Sequence, residues 1–297
     1  MMPKIVIAGG TGFVGQYLSK KFQKMGYQVI LVGRQKGNMP WTDTVGISAA
    51  LEHAEMLINL AGKSVNCRYN ASNKAQIFSS RTETTSILGK AIENCSHPPI
   101  LWLNASTATI YRHAADRPMT ESSGEIGTGF SVEVAKKWEK TFFDFHLPRT
   151  RQVALRMAIV LGADGGVIQP FKNLVRFGLG GIQGNGNQYF SWIHIEDLFQ
   201  IILFIQKHHE IDGVINCAAP HPITNKTFME TFRSIMHRKI GLPSPKWLLE
   251  IGALLIGTET ELLLKSRWVV PEKLENNGFE FKFPTISTAL EEILAKE

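Results

Sequence analysis

"KIVIAGGTGFVGQYLSKKFQKMG", residues 4–26, decides the fold. Its first part, residues 4–10, is a short β-rich run that ends in glycines. Residues 13–26 have helical spacing: Val14, Leu18 and Phe22 fall on one face, and Gly26 stops the run. Between strand and helix, Gly9, Gly12 and Gly15 are spaced G-x-x-G-x-x-G. Each glycine has a physical task. Gly9 permits a tight turn, Gly12 lets backbone N–H groups approach a pyrophosphate at the positive helix end, and Gly15 lets helix and strand pack closely. Thr11, Phe13 and Val14 share the turn, so they join the three glycines as predicted cofactor-binding positions.

The same alternation continues outward. "YQVILVGR" (27–34) reads as a second strand and "MLINLAG" (56–62) as a third. A long helix over 73–95 follows, then a fourth strand in "PPILWLNAST" (98–107), a helix from about Phe130, and a strand in "RQVALRMAIVLG" (151–162). Strands alternating with helices predict an α/β fold: a Rossmann-type, doubly wound parallel sheet. After Gly162 the chain turns glycine-rich, then gives a strand and helix over 191–207 and one more strand over 213–220. We therefore expect a dinucleotide-binding domain over 1–165, with 191–220 returning to it. A smaller C-terminal substrate lobe takes 166–190 and 221–297.

Composition narrows the function classes. The 297 residues are 44% hydrophobic and 20% charged, ordinary for a globular chain. The formal net charge is +6, but the cations are scattered and form no basic block. That pattern fits an anionic small ligand better than nucleic acid. Three widely spaced cysteines give neither a disulfide framework nor a metal motif, so a reducing cytoplasm and no metal are expected. The start lacks a secretory signal pattern, and stretches such as residues 198–205 are too short to span a bilayer. The expected partner is a small-molecule substrate, with no nucleic acid and no membrane; a homodimer is the oligomeric expectation.

The second strand ends at Gly33 and Arg34, where a site for NAD would offer an acid to the ribose 2′-hydroxyl. A guanidinium suits a 2′-phosphate instead, because it stays charged and bonds two oxygens. The cofactor expected is NADP(H). Arg81, inside the long helix, reads either as a second phosphate partner or as a solvated helix residue.

"GGTGFVG" (9–15), "NLAG" (59–62), "STATIY" (106–111) and "LRMAIVLG" (155–162) resemble, in order, the landmarks of extended short-chain dehydrogenases/reductases. "GLGGIQGNGNQYFSWIHIEDL" and the tail "VVPEKLENNGFEFKFPTISTAL" are similar to the atypical, epimerase-like branch usually labelled nucleoside-diphosphate-sugar epimerase. The resemblance covers essentially the whole chain. It implies that Thr107 is the catalytic hydroxyl, that Leu60, Ala61 and Gly62 pass the adenosine side of the cofactor, and that Val160 and Leu161 lie beside the nicotinamide.

Two departures stand out. The superfamily pairs tyrosine and lysine one helical turn apart, so that the cation helps the phenol act as acid or base. Aligned on Glu139, those positions hold Ser131 and Ala135, and the helix has no tyrosine. Where nucleotide-sugar enzymes read R-D-x-x-H-V-x-D, this chain has "FSWIHIED", with Phe190 for the arginine and Ser191 for the aspartate. Tyr111 is the candidate replacement acid; His194 reads as a structural histidine bonded between lobes or as a substrate contact, and Arg156 as a substrate contact or as a strand residue paired in the core. The apolar stripe Phe130, Val134 and Trp138 reads as core. The sequence thus points to an NADP(H)-binding oxidoreductase or epimerase-like protein acting on a small carbonyl or hydroxyl compound. Two alternatives stand beside it: a non-catalytic NADPH sensor, and a nucleotide-sugar epimerase with a relocated acid/base.

Arg34 yields a direct test. Arg34→Glu exchanges a phosphate partner for a repulsive charge and is expected to weaken NADPH binding by about tenfold or more. NADH binding should barely change; equal losses, measured by titration calorimetry, refute Arg34 as the selector.

Overall fold

The computed structural model describes residues 2–244 and 265–295. Residues 245–264, within the expected lobe, lie outside the described residues. The first half runs β1 (Lys4–Ala8), α1 (Phe13–Lys24), β2 (Gln28–Val32), α2 (Thr44–Leu51), β3 (Met56–Asn59), α3 (Ala71–Glu93), β4 (Leu101–Thr107), α4 (Phe130–Phe143) and β5 (Arg151–Met157). Next come β6 (Ile159–Gly162), β7 (Gly165–Gly166), α5 (Ile168–Arg176), β8 (Tyr189–Phe190), β9 (Trp192–His194), α6 (Ile195–Lys207), β10 (Gly213–Cys217), β11 (Ile223–Thr224) and α7 (Asn225–Ile235). Two further helices cover Glu272–Asn276 and Ile286–Ala295.

Six parallel strands form the main sheet in the order β10-β5-β4-β3-β1-β2. The fold is the expected α/β doubly wound type. Alternate residues of each strand enter opposite cores, as the two-residue side-chain period requires. Ile5 and Ile7 face a core shared with Leu18 and Phe22 of α1 and Leu198 and Ile202 of α6. Val6 and Ala8 face the opposite core, with Leu51 of α2, Leu88 of α3 and Phe142 of α4.

The run 151–162 is not one strand. β5 pairs with β4 and β10 as far as Met157, but β6 pairs with β9 in a separate small sheet. Ala158 is the break, its N–H bonded to Cys217 O. There the chain leaves the sheet to enter a second core, where Leu161, Phe171, Trp192, Phe228 and Leu290 meet. Conversely, Leu274 and Phe279 of the tail pack into the main core. The two lobes are therefore interleaved along the chain. Among the described residues, no helix is long and apolar enough to cross a membrane.

A half-buried carboxylate joins α1 to α6. Glu196 accepts from the Tyr17 hydroxyl and, at 2.9 Å, from Lys21 Nζ. Burial pushes the Glu196 carboxyl up, but bonds from Tyr17, Lys21 and Gln200 outweigh it and hold the group at about 2, below its ordinary 4.5. A carboxyl depressed on folding stabilises above its unfolded value and loses that contribution as pH falls through the folded one. Glu196→Gln should lower Tm by about 2–5 °C at neutral pH. Thermal unfolding across pH should show the gap from wild type shrinking below about pH 4.5 and closing near pH 2.

Candidate active site

The glycine turn and the loop after β3 are pressed together. Gly9 has φ +75°, and a Cβ there would sit 2.8 Å from the Leu60 carbonyl carbon and Ala61 nitrogen. A Cβ on Gly15 would come within 2.6 Å of Gly10 Cα, so only glycine lets α1 pack this closely. Gly12 is the N-cap of α1 and gives it no side-chain cap. The first-turn N–H groups of that helix are left for an anion. Thr11 O is held by the Gln16 side-chain amide at 2.8 Å.

Buried amides set the neighbouring loop. Asn59 Oδ1 accepts from Ala61 N at 3.1 Å, and its Nδ2 donates to Asn104 Oδ1 at 2.7 Å and Thr85 Oγ1 at 3.1 Å. Trp138 Nε1 donates to the same Thr85 hydroxyl at 3.0 Å. One network thus ties the 60–62 loop to β4, α3 and α4. Gly33 and Arg34 leave the edge strand β2; Gly33 N bonds Met39 O, and Arg34 is exposed.

Between turn and helix α4 lies a cavity of about 510 Å³. Phe13, Val14, Leu60 and Gly62 form the wall nearest the glycine turn. Thr107 and Ser131 bring hydroxyls to it from β4 and α4. Thr107 Oγ1 accepts from Thr109 N at 3.1 Å, which caps the turn 108–110 and leaves its proton to donate. Ser131 Oγ is buried without a hydrogen-bond partner among the described residues. A buried, unmatched hydroxyl costs free energy unless a ligand satisfies it.

Val134 and Trp138 of the α4 stripe are buried, as expected, but the stripe also meets a cavity. Phe130, Val134 and Trp138 line the cavity, together with Ser131 and Ala135. Aromatic neighbours from other elements, Tyr69 at 4.8 Å and Phe78 at 5.6 Å, hold the Phe130 ring. The positions that align with tyrosine and lysine thus face the cavity, as Ser131 and Ala135. The helix buries Val132, Glu139 and Phe142 behind them.

Glu139 explains that register. It makes a two-pronged ion pair with Arg156 of β5, Nε to Oε1 at 2.8 Å and Nη2 to Oε2 at 2.7 Å. Each residue is only 8% exposed. Ser106 Oγ donates to Glu139 Oε1 at 2.5 Å. Arg156 Nη1 donates to the Tyr111 hydroxyl at 2.9 Å, which can donate onward to Asn216 Oδ1 at 2.9 Å. This selects the core-paired reading of Arg156 and corrects the expectation for Tyr111. Tyr111 is 2% exposed and its oxygen is enclosed; burial pushes its phenol up despite the neighbouring guanidinium, and it is no acid for the cavity.

Other candidate positions also lie away from the cavity. His194 is 1% exposed: its Nδ1 accepts from Glu196 N to cap α6, and its Nε2 meets Glu292 at 3.2 Å. It braces the tail and does not face the cavity. Asp197 accepts from Lys282 N and Phe283 N, and Ser191 Oγ accepts from Val269 N. Phe190, in place of an arginine, stacks on Phe228 at 4.4 Å. Leu161 is wholly buried in the second core and Val160 packs against the first; Met157 is what this segment adds to the cavity wall.

Arg81 is half-buried. It faces Gly62, after β3, with β1 between that strand and β2. The reading also missed Lys63 and Tyr69, whose loop has no periodic signal. No metal motif is visible along the chain, yet Glu52, His53 and His97 come within 4.8 Å of one another. That group lies at the other end of the sheet, ahead of β3 and β4.

The parallel sheet and the glycine turn after β1 are those of a Rossmann-like α/β protein. Residues 5–132 match the NAD dependent epimerase/dehydratase family, and residues 244–293 match a domain of unknown function, DUF1731. The chain is 31% identical to human epimerase family protein SDR39U1 over 98% of its length and all of the relative's. It is 31% identical to YfhF of Bacillus subtilis, covering 98% of both. The crystal structure of human SDR39U1 isoform 2 with NADPH superimposes with a TM-score of 0.90 over 99% of this chain and all of that one. A Corynebacterium glutamicum nucleoside-diphosphate sugar epimerase, 29% identical, superimposes at 0.79 over the whole chain and 59% of that protein. The chain belongs to this epimerase family.

Removing one member of the buried pair tests its role. Arg156→Met leaves Glu139 charged and unpaired, and is expected to cost about 3–5 kcal/mol. Adding Glu139→Leu should restore part of that loss in denaturant unfolding. A single-variant loss under about 1 kcal/mol would show that the pair does not anchor α4.

Proposed function

We propose that this protein is an NADP(H)-dependent oxidoreductase or epimerase-like enzyme that acts on a small carbonyl or hydroxyl compound through hydrogen-bonding hydroxyls. The observation that carries this reading is the convergence of Thr107 and Ser131 on a cavity walled by the glycine-turn residues Phe13 and Val14. The described residues suit a dinucleotide: an uncapped helix start, a glycine with no room for a Cβ, and an exposed Arg34 for a 2′-phosphate. Gly9, Gly12 and Gly15 with Thr11 would hold the pyrophosphate, and Leu60, Ala61 and Gly62 the adenosine side. That SDR39U1 was crystallised with NADPH supports the same cofactor here.

When bound, that cofactor supplies hydride transfer to or from carbon. Thr107 and Ser131 orient the substrate oxygen and donate hydrogen bonds to it, stabilising the negative charge that grows there. The proton that completes an alcohol comes from water, since neither hydroxyl is acidic enough to release one. The aromatic wall of Phe130 and Trp138 limits water around the reacting carbon.

A non-catalytic NADPH sensor is the second reading, because no ionisable residue stands at the cavity-facing positions 131 and 135 of α4. A panel of small aldehydes and ketones separates the two. Consumption of NADPH is expected, and Thr107→Val should cut kcat/KM by about 10²-fold with NADPH affinity unchanged. Tight NADPH binding without any consumption supports the sensor reading.

A further inference from the structure

Two cations line the cavity, and no acidic residue lines it among the described residues. The Arg81 guanidinium lies over the Trp138 ring at 5.1 Å and donates to Ile77 O at 3.0 Å. It is packed against Gly62, whose added Cβ would sit 3.1 Å from Arg81 Cζ. Lys63 Nζ donates to Asn73 Oδ1 at 2.8 Å and Gln76 Oε1 at 2.7 Å, both neutral acceptors. Neither cation has a carboxylate partner among the described residues.

Withdrawing a charge from water without a counter-ion is costly. Elsewhere one buried guanidinium, Arg156, is matched with Glu139. At Arg81 burial holds the guanidinium down at about 10. The Trp138 ring and the Ile77 carbonyl hold Arg81, and a guanidinium carries further N–H donors that suit a planar anion. The pyrophosphate has its own place at the glycine turn, and Arg34 stands for the 2′-phosphate. Arg81 lies between Gly62 and Trp138, and Lys63 follows Gly62, in the cavity that Ser131 also lines.

We infer that the substrate carries a carboxylate, which Arg81 grips while Lys63 adds a second charge, with the reacting carbonyl turned toward Thr107 and Ser131. This rests on the reductase or epimerase-like reading above and names its substrate class. An arylalkyl 2-oxo acid has the required shape: one planar anion, an adjacent carbonyl and an apolar tail for Phe130 and Tyr69.

The test uses the full chain saturated with NADPH. Benzoate, phenylglyoxylate and phenylpyruvate are titrated calorimetrically beside their methyl esters. At least one acid should bind with Kd below about 1 mM, and about twentyfold tighter than its ester. Arg81→Met and Lys63→Met should each weaken the acid by about tenfold or more, leaving ester and NADPH binding unchanged. Arg81→Lys should recover only part, since it restores charge without the planar set of donors. Unchanged NADPH affinity and Tm show that the variants fold. The inference is overturned if no acid binds, if esters bind as tightly, or if the Arg81 variants lose NADPH affinity instead. NADPH consumption separates this from the parent reading. An acid that binds and is not reduced counts against the reductase alone; a neutral ketone reduced equally well by wild type and Arg81→Met counts against the carboxylate site alone.

Discussion

The buried pair of Glu139 and Arg156 sets the position of everything that faces the cavity. It joins α4 to β5, inside the sheet, by two hydrogen bonds that fix which face of the helix meets the strand. That facing presents Ser131, Ala135 and Trp138 to the cavity and turns Phe142 into the core. A buried ion pair stabilises only when its remaining donors and acceptors are also matched. Here Ser106 and Tyr111 complete the set. The tyrosine that chain order places nearest Thr107 is thereby removed from chemistry and made part of the scaffold.

What remains at the cavity is hydroxyl and cation without a titratable acid or base at α4. Donors of this kind suit negative charge on an oxygen, in line with the proposed function. The cations come from α3 and from the loop after β3, not from α4. The region where a nucleotide-sugar grip would stand has been recruited to another task. Phe190 joins an aromatic cluster, while Ser191, His194 and Asp197 all bind the C-terminal segment. The tail is thus clamped across the second core by residues whose types alone suggest substrate binding.

Local patterns were legible where one element decides the outcome. The strand, glycine turn and helix over 4–26 follow from residue types and steric limits within that stretch. The boundary between β5 and β6 was not legible, because both halves have the same β-rich composition and only their partners differ. The α4 stripe was legible as a buried face but not as a cavity wall. Apolar residues four apart mark a buried face, but nothing in the spacing says whether that face meets other side chains or a ligand cavity. Lys63 and Tyr69 sit in an irregular loop, where no period exists to be read.

By itself the sequence determined the α/β class, the glycine turn, the arginine after β2 and the absence of a tyrosine–lysine pair on α4. Each is a property of residue type at short range. Only the tertiary structure decided which polar side chains meet a ligand and which meet each other. Arg156 and Arg81 are both guanidiniums within regular elements. One found a carboxylate from α4 across the sheet, the other a tryptophan face and a cavity. Partners far apart in the chain, brought together by packing, determine whether a charge is structural or available.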